Sequence, residues 1–408
     1  MKRTQTYEGI KPLIDLCKAG KLFDVQEWIS AGKPVNPPPS EKGYRRKSPL
    51  EIAMDCGFHS LVQVLLEGGA AIEEPRYSAI YHALSERRLD LVQLLINHGA
   101  DIHSVNMGSV FDTWQPEIME FFIERGADVE TGNPLAYALC NRIRTALRIL
   151  KGYGDRFPSF KEQANIALRH HCKEGNLKWV SLMLWAGADP YAKGPDSWDD
   201  EPDPDEDLNA LEFAALYENF DVFKLKQIRL DPNHPDSQGI LRKACRADNC
   251  DFLKELLDKG FSPSEQEDRG TSLVQSLLCS MSRYSWSYDD LFSRRPERNI
   301  DNSRSREKIK MIHLLARHGA KWLPSDRTEI NEARRSLLKM SPDYTVEFIW
   351  IMSKYNATTR EKIEDLIRTP TIRALLYSHL SRIVELIETL PPAEAGACLD
   401  KPVHNVEA

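Results

Sequence analysis

Apolar residues along the chain fall into a pattern that repeats. LVQVLLEGGAAIE (61–73) and LVQLLINHGADIH (91–103) carry it thirty residues apart. In each, apolar pairs separated by four positions occupy one face of a helix, and a glycine follows shortly after the last of them. Glycine there ends a helix in a left-handed turn at little steric cost. IMEFFIERGADV, ending at Val129, WVSLMLWAGADP, ending at Pro190, and MIHLLARHGAKW, ending at Trp322, are further copies. Weaker ones end at Asn36 and Pro263. Upstream of most copies lies a shorter helical segment with small residues on one face: SPLEIA (48–53), NPLAYA (133–138) and NALEFAA (209–215). Proline in the first turn presets the helical dihedral, and the Ser or Asn before it caps free N–H groups. The alanines let neighbouring helices approach closely.

A two-helix unit of this size cannot hide its apolar face alone, whereas stacked units share one core. The residues resemble the ankyrin repeat, whose pattern is TPLHxAA, a turn, a second helix with V-x-x-LL, then GAD. The resemblance spans residues 11–322 in nine units, near 11–36, 48–73, 78–103, 108–130, 133–155, 163–190, 209–233, 237–263 and 271–322. No unit keeps the family's His after PL; Ile14, Glu51, Tyr81, Ala136 and Glu212 stand there. The fourth unit is short, and the fifth ends in Gly152-Tyr153-Gly154, so an altered twist is expected at both junctions. The resemblance implies an all-α solenoid of helix-turn-helix units with no sheet beyond short turn ladders. Residues 323–390 read as a helical C-terminal cap, with helices over 329–340, 344–355, 359–368 and 372–390, and 391–408 as a flexible tail. The segment 344–357 echoes a second repeat helix without its glycine.

Composition narrows the function. A formal net charge of −7 and a pI near 5.9 argue against general affinity for phosphate backbones. No run long and apolar enough to span a bilayer occurs, and the charged N-terminus has no secretory signal, so a soluble, cytoplasmic protein is expected. Eight cysteines form no Cys-x-x-Cys pair, which fits neither a zinc site nor a disulfide framework. Cys17, Cys172 and Cys245 stand at the small position of the first helix and read as core. His170 and His171 precede Cys172, but consecutive helical side chains point about 100° apart, so no ligand set is expected from them. No phosphate loop, HExxH or GxSxG motif is present. The reading is a non-catalytic protein with no cofactor and no metal.

Three insertions depart from the repeat and supply candidate contacts with a partner. The first, 37–47, presents Tyr44, Arg45 and Arg46 beyond stiff prolines. The second, 193–208, holds eight carboxylates between Asp196 and Asp207, among them Asp199 and Asp200, with no base; Trp198 is the expected anchor for a basic partner. Pro202 and Pro204 break the ligand spacing of a calcium loop. The third, 280–306, mixes aromatics with arginines, Trp286 and Arg295 foremost. The family's binding surface is the concave side of fingers and first helices. Transferred by position, it adds Lys18, Asp55, Ser85, Glu86, Asn141, Lys173, Glu174, Tyr217 and Arg246, with Arg76, Tyr77 and Asn106 on the fingers. The expected partner is another protein, with no membrane, nucleic acid disfavoured, and the free chain a monomer. Holding, inhibiting an enzyme or toxin as an immunity-type protein, and linking two partners as an adaptor all remain open.

Overall fold

The computed structural model describes residues 2–39, 46–74, 77–199, 207–247, 249–263, 271–283, 302–338 and 341–391. It resolves into two compact units. Residues up to His171, with 178–189 and the described residues from Gly194 to 199, form the first; 172–177, 190–193 and the described residues from Asp207 onward form the second.

In the first, helices come in consecutive pairs: α1 (Tyr7–Lys18) with α2 (Leu22–Ser30), α3 (Pro49–Cys56) with α4 (His59–Glu67), and α5 (Ala79–Ser85) with α6 (Leu89–Asn97). They continue as α7 (Met107–Phe111) with α8 (Pro116–Glu124), α9 (Pro134–Cys140) with α10 (Thr145–Tyr153), and α11 (Ser159–Glu174) with α12 (Leu177–Ala186). First helices pack on first helices and second on second, as in α1 on α3 and α2 on α4. The apolar pairs seen in the sequence, Leu61, Val62, Leu65, Leu91, Val92 and Leu95, are buried between them. Burial of such side chains, roughly 1.5–3 kcal/mol each, drives the stacking.

Among the described residues, seven turns from a first to a second helical segment carry one residue with positive φ. Glycine fills it at 20, 57 and 175, but Arg87, Trp114, Arg142 and Glu218 fill it elsewhere. The short fourth unit has a first helix of five residues. At the fifth junction Gly154 is right-handed, with φ of −58°, so α10 runs into a compact turn and α11 begins six residues after it ends. The described residues contain one two-stranded ladder, β1 (Glu73–Glu74) with β2 (Tyr77–Ser78), antiparallel, pairing Glu73 with Ser78.

In the second compact unit, α13 (Ala210–Leu216) is followed by a 3-10 turn, Phe220–Lys224, where the sequence reading places a second helix. That segment lacks the paired apolar spacing and its glycine, and Phe220 and Phe223 instead pack on Phe252, 4.8 and 4.5 Å between ring centres. The stack then runs through α14 (Gln238–Arg246), α15 (Cys250–Asp258), α16 (Leu273–Arg283) and α17 (Asn302–Arg317). Beyond it lie α18 (Arg327–Leu338), α19 (Pro342–Lys354), α20 (Arg360–Ile367), α21 (Pro370–Leu375) and α22 (Leu380–Glu388). α18 packs on α16 and α19 on α17, so these helices extend the two rows of the repeat. Asn356, with φ of 48°, takes the turn position that glycine holds in earlier copies.

Candidate protein-binding groove

Two fingers and the base of the acidic insertion meet in the first compact unit. In the finger after α6, the Asp101 carboxylate accepts the His103 N–H at 2.9 Å. Tyr81 stands where the repeat pattern has His, and its hydroxyl accepts the Asn106 N–H at 2.9 Å, so a phenol holds this finger. Asn106 in turn caps α7 by accepting the Gly108 N–H at 2.7 Å. In the finger after α8, Asp128 accepts the N–H groups of Glu130 and Thr131 at 2.9 and 3.0 Å. The Thr131 side chain first, then those two N–H groups, holds this carboxyl below the usual range. Behind it, buried Gln163 on α11 accepts the first free N–H groups of α9, from Leu135 and Ala136, at 2.8 and 3.2 Å. Its amide also donates to the Val129 carbonyl at 3.0 Å.

Between these fingers lies a cavity of about 580 Å³, lined among others by Asn106, Gly108, Asp112, Asp128, Tyr137 and Trp198. Tyr137 donates its hydroxyl to Asp112, 3.1 and 3.0 Å from the two carboxylate oxygens. Partial burial, reinforced by Asp112, raises the phenol above its ordinary value and keeps it a donor. Trp198 meets Tyr137 edge to face at 5.4 Å and His170 at 6.5 Å, and its carbonyl accepts from Asn133 Nδ2 at 3.3 Å. The indole that the sequence marks as an anchor for a partner is thus seated on the protein's own helices and forms one wall of the groove.

The insertion is tied down by a residue the sequence reading did not single out. The Arg169 side chain is fully buried. It donates from Nε to the Pro195 carbonyl at 2.7 Å and from Nη2 to Glu162 at 2.6 Å. Gly194 lies against it with φ of +145°; a Cβ there would stand 2.8 Å from Nη2. A buried guanidinium needs such partners, but nothing in a helical pattern of apolar and polar positions forecasts which loop carbonyl will supply them.

The other candidates are dispersed. Arg46 lies over the Tyr7 ring at 4.3 Å, and the Tyr77 hydroxyl is 3.2 Å from His82 Nδ1. Glu86 is exposed at the end of α5, Asn141 donates to the Tyr137 carbonyl at 2.9 Å, and Asp199 is hydrogen-bonded by the Ser197 hydroxyl. In the second compact unit the Lys173 ammonium lies 5.4 Å from the ring centre of exposed Tyr217, with Glu174 and Arg246 also exposed. Tyr44, Arg45, Arg76, Asp200, Trp286 and Arg295 lie outside the described residues. Cys17, Cys172 and Cys245 are buried. Burial pushes the Cys17 thiol up to about 12 and raises Cys172 as well. One expectation needs correcting: the rings of His170 and His171 do not diverge but meet edge to face at 5.2 Å. Side-chain torsions close the angle between them, His171 turning to stack on Trp179 with Nε2 3.1 Å from the Leu139 carbonyl.

Residues 76–107 match the family model of the ankyrin repeat, the stretch that carries β2, α5, α6 and the finger ending at Asn106. That stretch is an ankyrin repeat. Curated relatives include an ankyrin repeat and KH domain-containing protein of Caenorhabditis briggsae, 24% identical over 227 residues. Another is the ankyrin repeat and KH domain-containing protein mask-1 of Caenorhabditis elegans, 27% identical over 159 residues. These alignments take in 52% and 36% of this chain but 8% and 6% of the relatives. The chain therefore matches less than a tenth of either relative's length. Among solved structures, the human ASB11 ankyrin repeat domain is 16% identical, with a TM-score of 0.34, covering 57% of this chain and 97% of that one. The ankyrin repeat domain of Bcl-3 is 17% identical, with a TM-score of 0.29, covering 64% and 92%. An ankyrin repeat indicates a protein–protein interaction scaffold, and no helix among the described residues is long and apolar enough to cross a membrane.

Proposed function

We propose that this ankyrin-repeat protein is a non-catalytic recognition scaffold that holds one protein partner on the finger side of α5, α7 and α9. The observation that carries this reading is the groove itself: a cavity of about 580 Å³ whose polar wall is fixed by Tyr137, Asp112 and the seated Trp198. Preorganised side chains lose little freedom on binding, and rigid aromatics are the usual centres of interface energy. Inhibition of a basic enzyme or toxin by the acidic insertion, and an adaptor role using α18–α22, are narrower versions of the same scaffold. The groove favours simple holding, because Trp198 is engaged with the stack and is not extended toward a target.

The test is cross-linking mass spectrometry on the full chain with its partner captured from the native host. Cross-links concentrated on 101–108, 128–134 and 196–199 are expected. Cross-links confined to the second helices, α4, α6, α8 and α10, would overturn the assignment of the binding face.

A further inference from the structure

We propose that the groove between the fingers after α6 and α8 receives an arginine side chain from the protein partner, against the Asp112 and Asp128 carboxylates and the Tyr137–Trp198 pair. This rests on the scaffold reading and names the chemistry of its contact.

Charge comes first. The lining contains Asp112 and Asp128 and neither lysine nor arginine. Asp112 is exposed and oriented by the Tyr137 hydroxyl, and exposed Asp128 is oriented by two backbone N–H groups. Exposed Asp199 follows Trp198 directly. An approaching cation meets complementary charge at the groove.

An anionic ligand would need donors, and four backbone N–H groups at the starts of α7 and α9 are already used. Those of Leu135 and Ala136 go to Gln163, and those of Gly108 and Ser109 go to the Asn106 side chain and carbonyl. A phosphate or carboxylate would also face two carboxylates with no lysine or arginine in the lining to offset them. A purely apolar side chain would strand the same carboxylates without water. Among cations, arginine fits best. Its planar guanidinium pairs with carboxylates through forked hydrogen bonds and stacks on aromatic rings, while a lysine ammonium is a strongly hydrated point charge.

The probe is an acetylated, amidated Gly-Ser-Arg-Ser-Gly peptide, titrated calorimetrically into the full-length protein. Parallel titrations use versions carrying citrulline or lysine in the central position. The arginine peptide is expected to bind on the order of millimolar, and citrulline, isosteric but uncharged, at least about tenfold more weakly. Asp112→Asn with Asp128→Asn keeps the oxygen acceptors that hold Tyr137 and the finger but removes the charge. It should cost the arginine peptide about tenfold while the protein stays folded at the titration temperature. Trp198→Ala should weaken arginine more than lysine. Equal binding of arginine and citrulline peptides, no detectable binding of the arginine peptide, or indifference to the double substitution would each overturn the proposal. So would tighter binding of an oligonucleotide than of the peptide, displaced by it from the same groove. In any of those cases, finger-side cross-links to the captured protein would leave the scaffold reading standing. Loss of those cross-links with the arginine preference intact would instead sink the scaffold reading, and with it the assignment of the arginine to the partner.

Discussion

Turn residues with positive φ separate what geometry demands from what the chain supplies. Gly57 has φ of +69°, and a Cβ there would come 3.2 Å from Arg88 Nη1. Arg87 adopts φ of 55° in the equivalent turn one unit later, and it is exposed. A left-handed residue with a Cβ costs roughly 1–2 kcal/mol, offset in part by glycine's greater freedom when unfolded. Gly57→Ala should therefore destabilise by about 1 kcal/mol, and Arg87→Gly should stabilise by about 0.5–1 kcal/mol. Urea midpoints measure both; the same sign for the two would contradict the shared turn geometry. The buried thiols give a pH test. Cys17 is raised by burial from 9.0 to about 12 in the folded chain, and Cys172 is raised too. The folded state thus holds these protons where the unfolded chain releases them. The contribution is complete below about pH 9 and is lost as pH climbs toward 12. Between pH 9 and 10 each thiol should withdraw about 1 kcal/mol. Cys17→Ala with Cys172→Ala should flatten that decline in urea denaturation across the same interval. In the native protein at pH 8 neither thiol should react with Ellman's reagent, while exposed Cys56 should.

Elements depend on side chains that bridge units, and here legibility changes. Apolar pairs such as Leu61 and Leu65, or Leu91 and Leu95, announce their helices because periodicity is a local signal. The seventh unit's second helix failed because 220–228 carries aromatics without paired spacing or a terminal glycine, and packing on Phe252 decided its form. Asn356 takes its turn without the glycine that marks the turn elsewhere, because asparagine also tolerates the left-handed region. The groove was legible only in parts. Trp198 stood out by composition, but its seat on Tyr137 joins positions 61 residues apart, and no local pattern reports that. Asp112 and Tyr137 lie 25 residues apart, near one repeat, and pairing equivalent first helices would have suggested them. Gln163 is the clearest omission. It satisfies two N–H groups of α9 and one finger carbonyl from a buried position. Gln163→Ala should strand them and cost about 2–3 kcal/mol. Hydrogen exchange should then quicken at Leu135 and Ala136 ahead of α5 and α6; uniform exchange would show the staple to be redundant.

At the scale of the whole molecule, charge distribution governs how a partner arrives. The chain carries a net charge of −7, and its densest block of one sign is the stretch from Asp196 to Asp207. Clustered charge acts over about a Debye length, roughly 8 Å at physiological salt, so it influences encounter more than the final contact. The base of this stretch is fastened beside the groove through Arg169 and Trp198, which ties attraction to one part of the surface. Asp199→Asn, Asp200→Asn, Asp205→Asn and Glu206→Gln together remove four of the seven excess negative charges. Association with the captured partner should slow several-fold at low salt and lose most of its salt dependence, with dissociation little changed. Trp198→Ala should behave oppositely, quickening dissociation because it removes a wall of the groove. The four-fold variant should melt close to the parent, since surface loops contribute little to stacking of the repeat helices. Trp198→Ala, which strips ring contacts with Tyr137 and His170, should melt lower. Stopped-flow kinetics across a salt series separates the two effects. If the four-fold variant dissociates faster at unchanged association rate, the acidic stretch is part of the contact surface and steering is the wrong account of it.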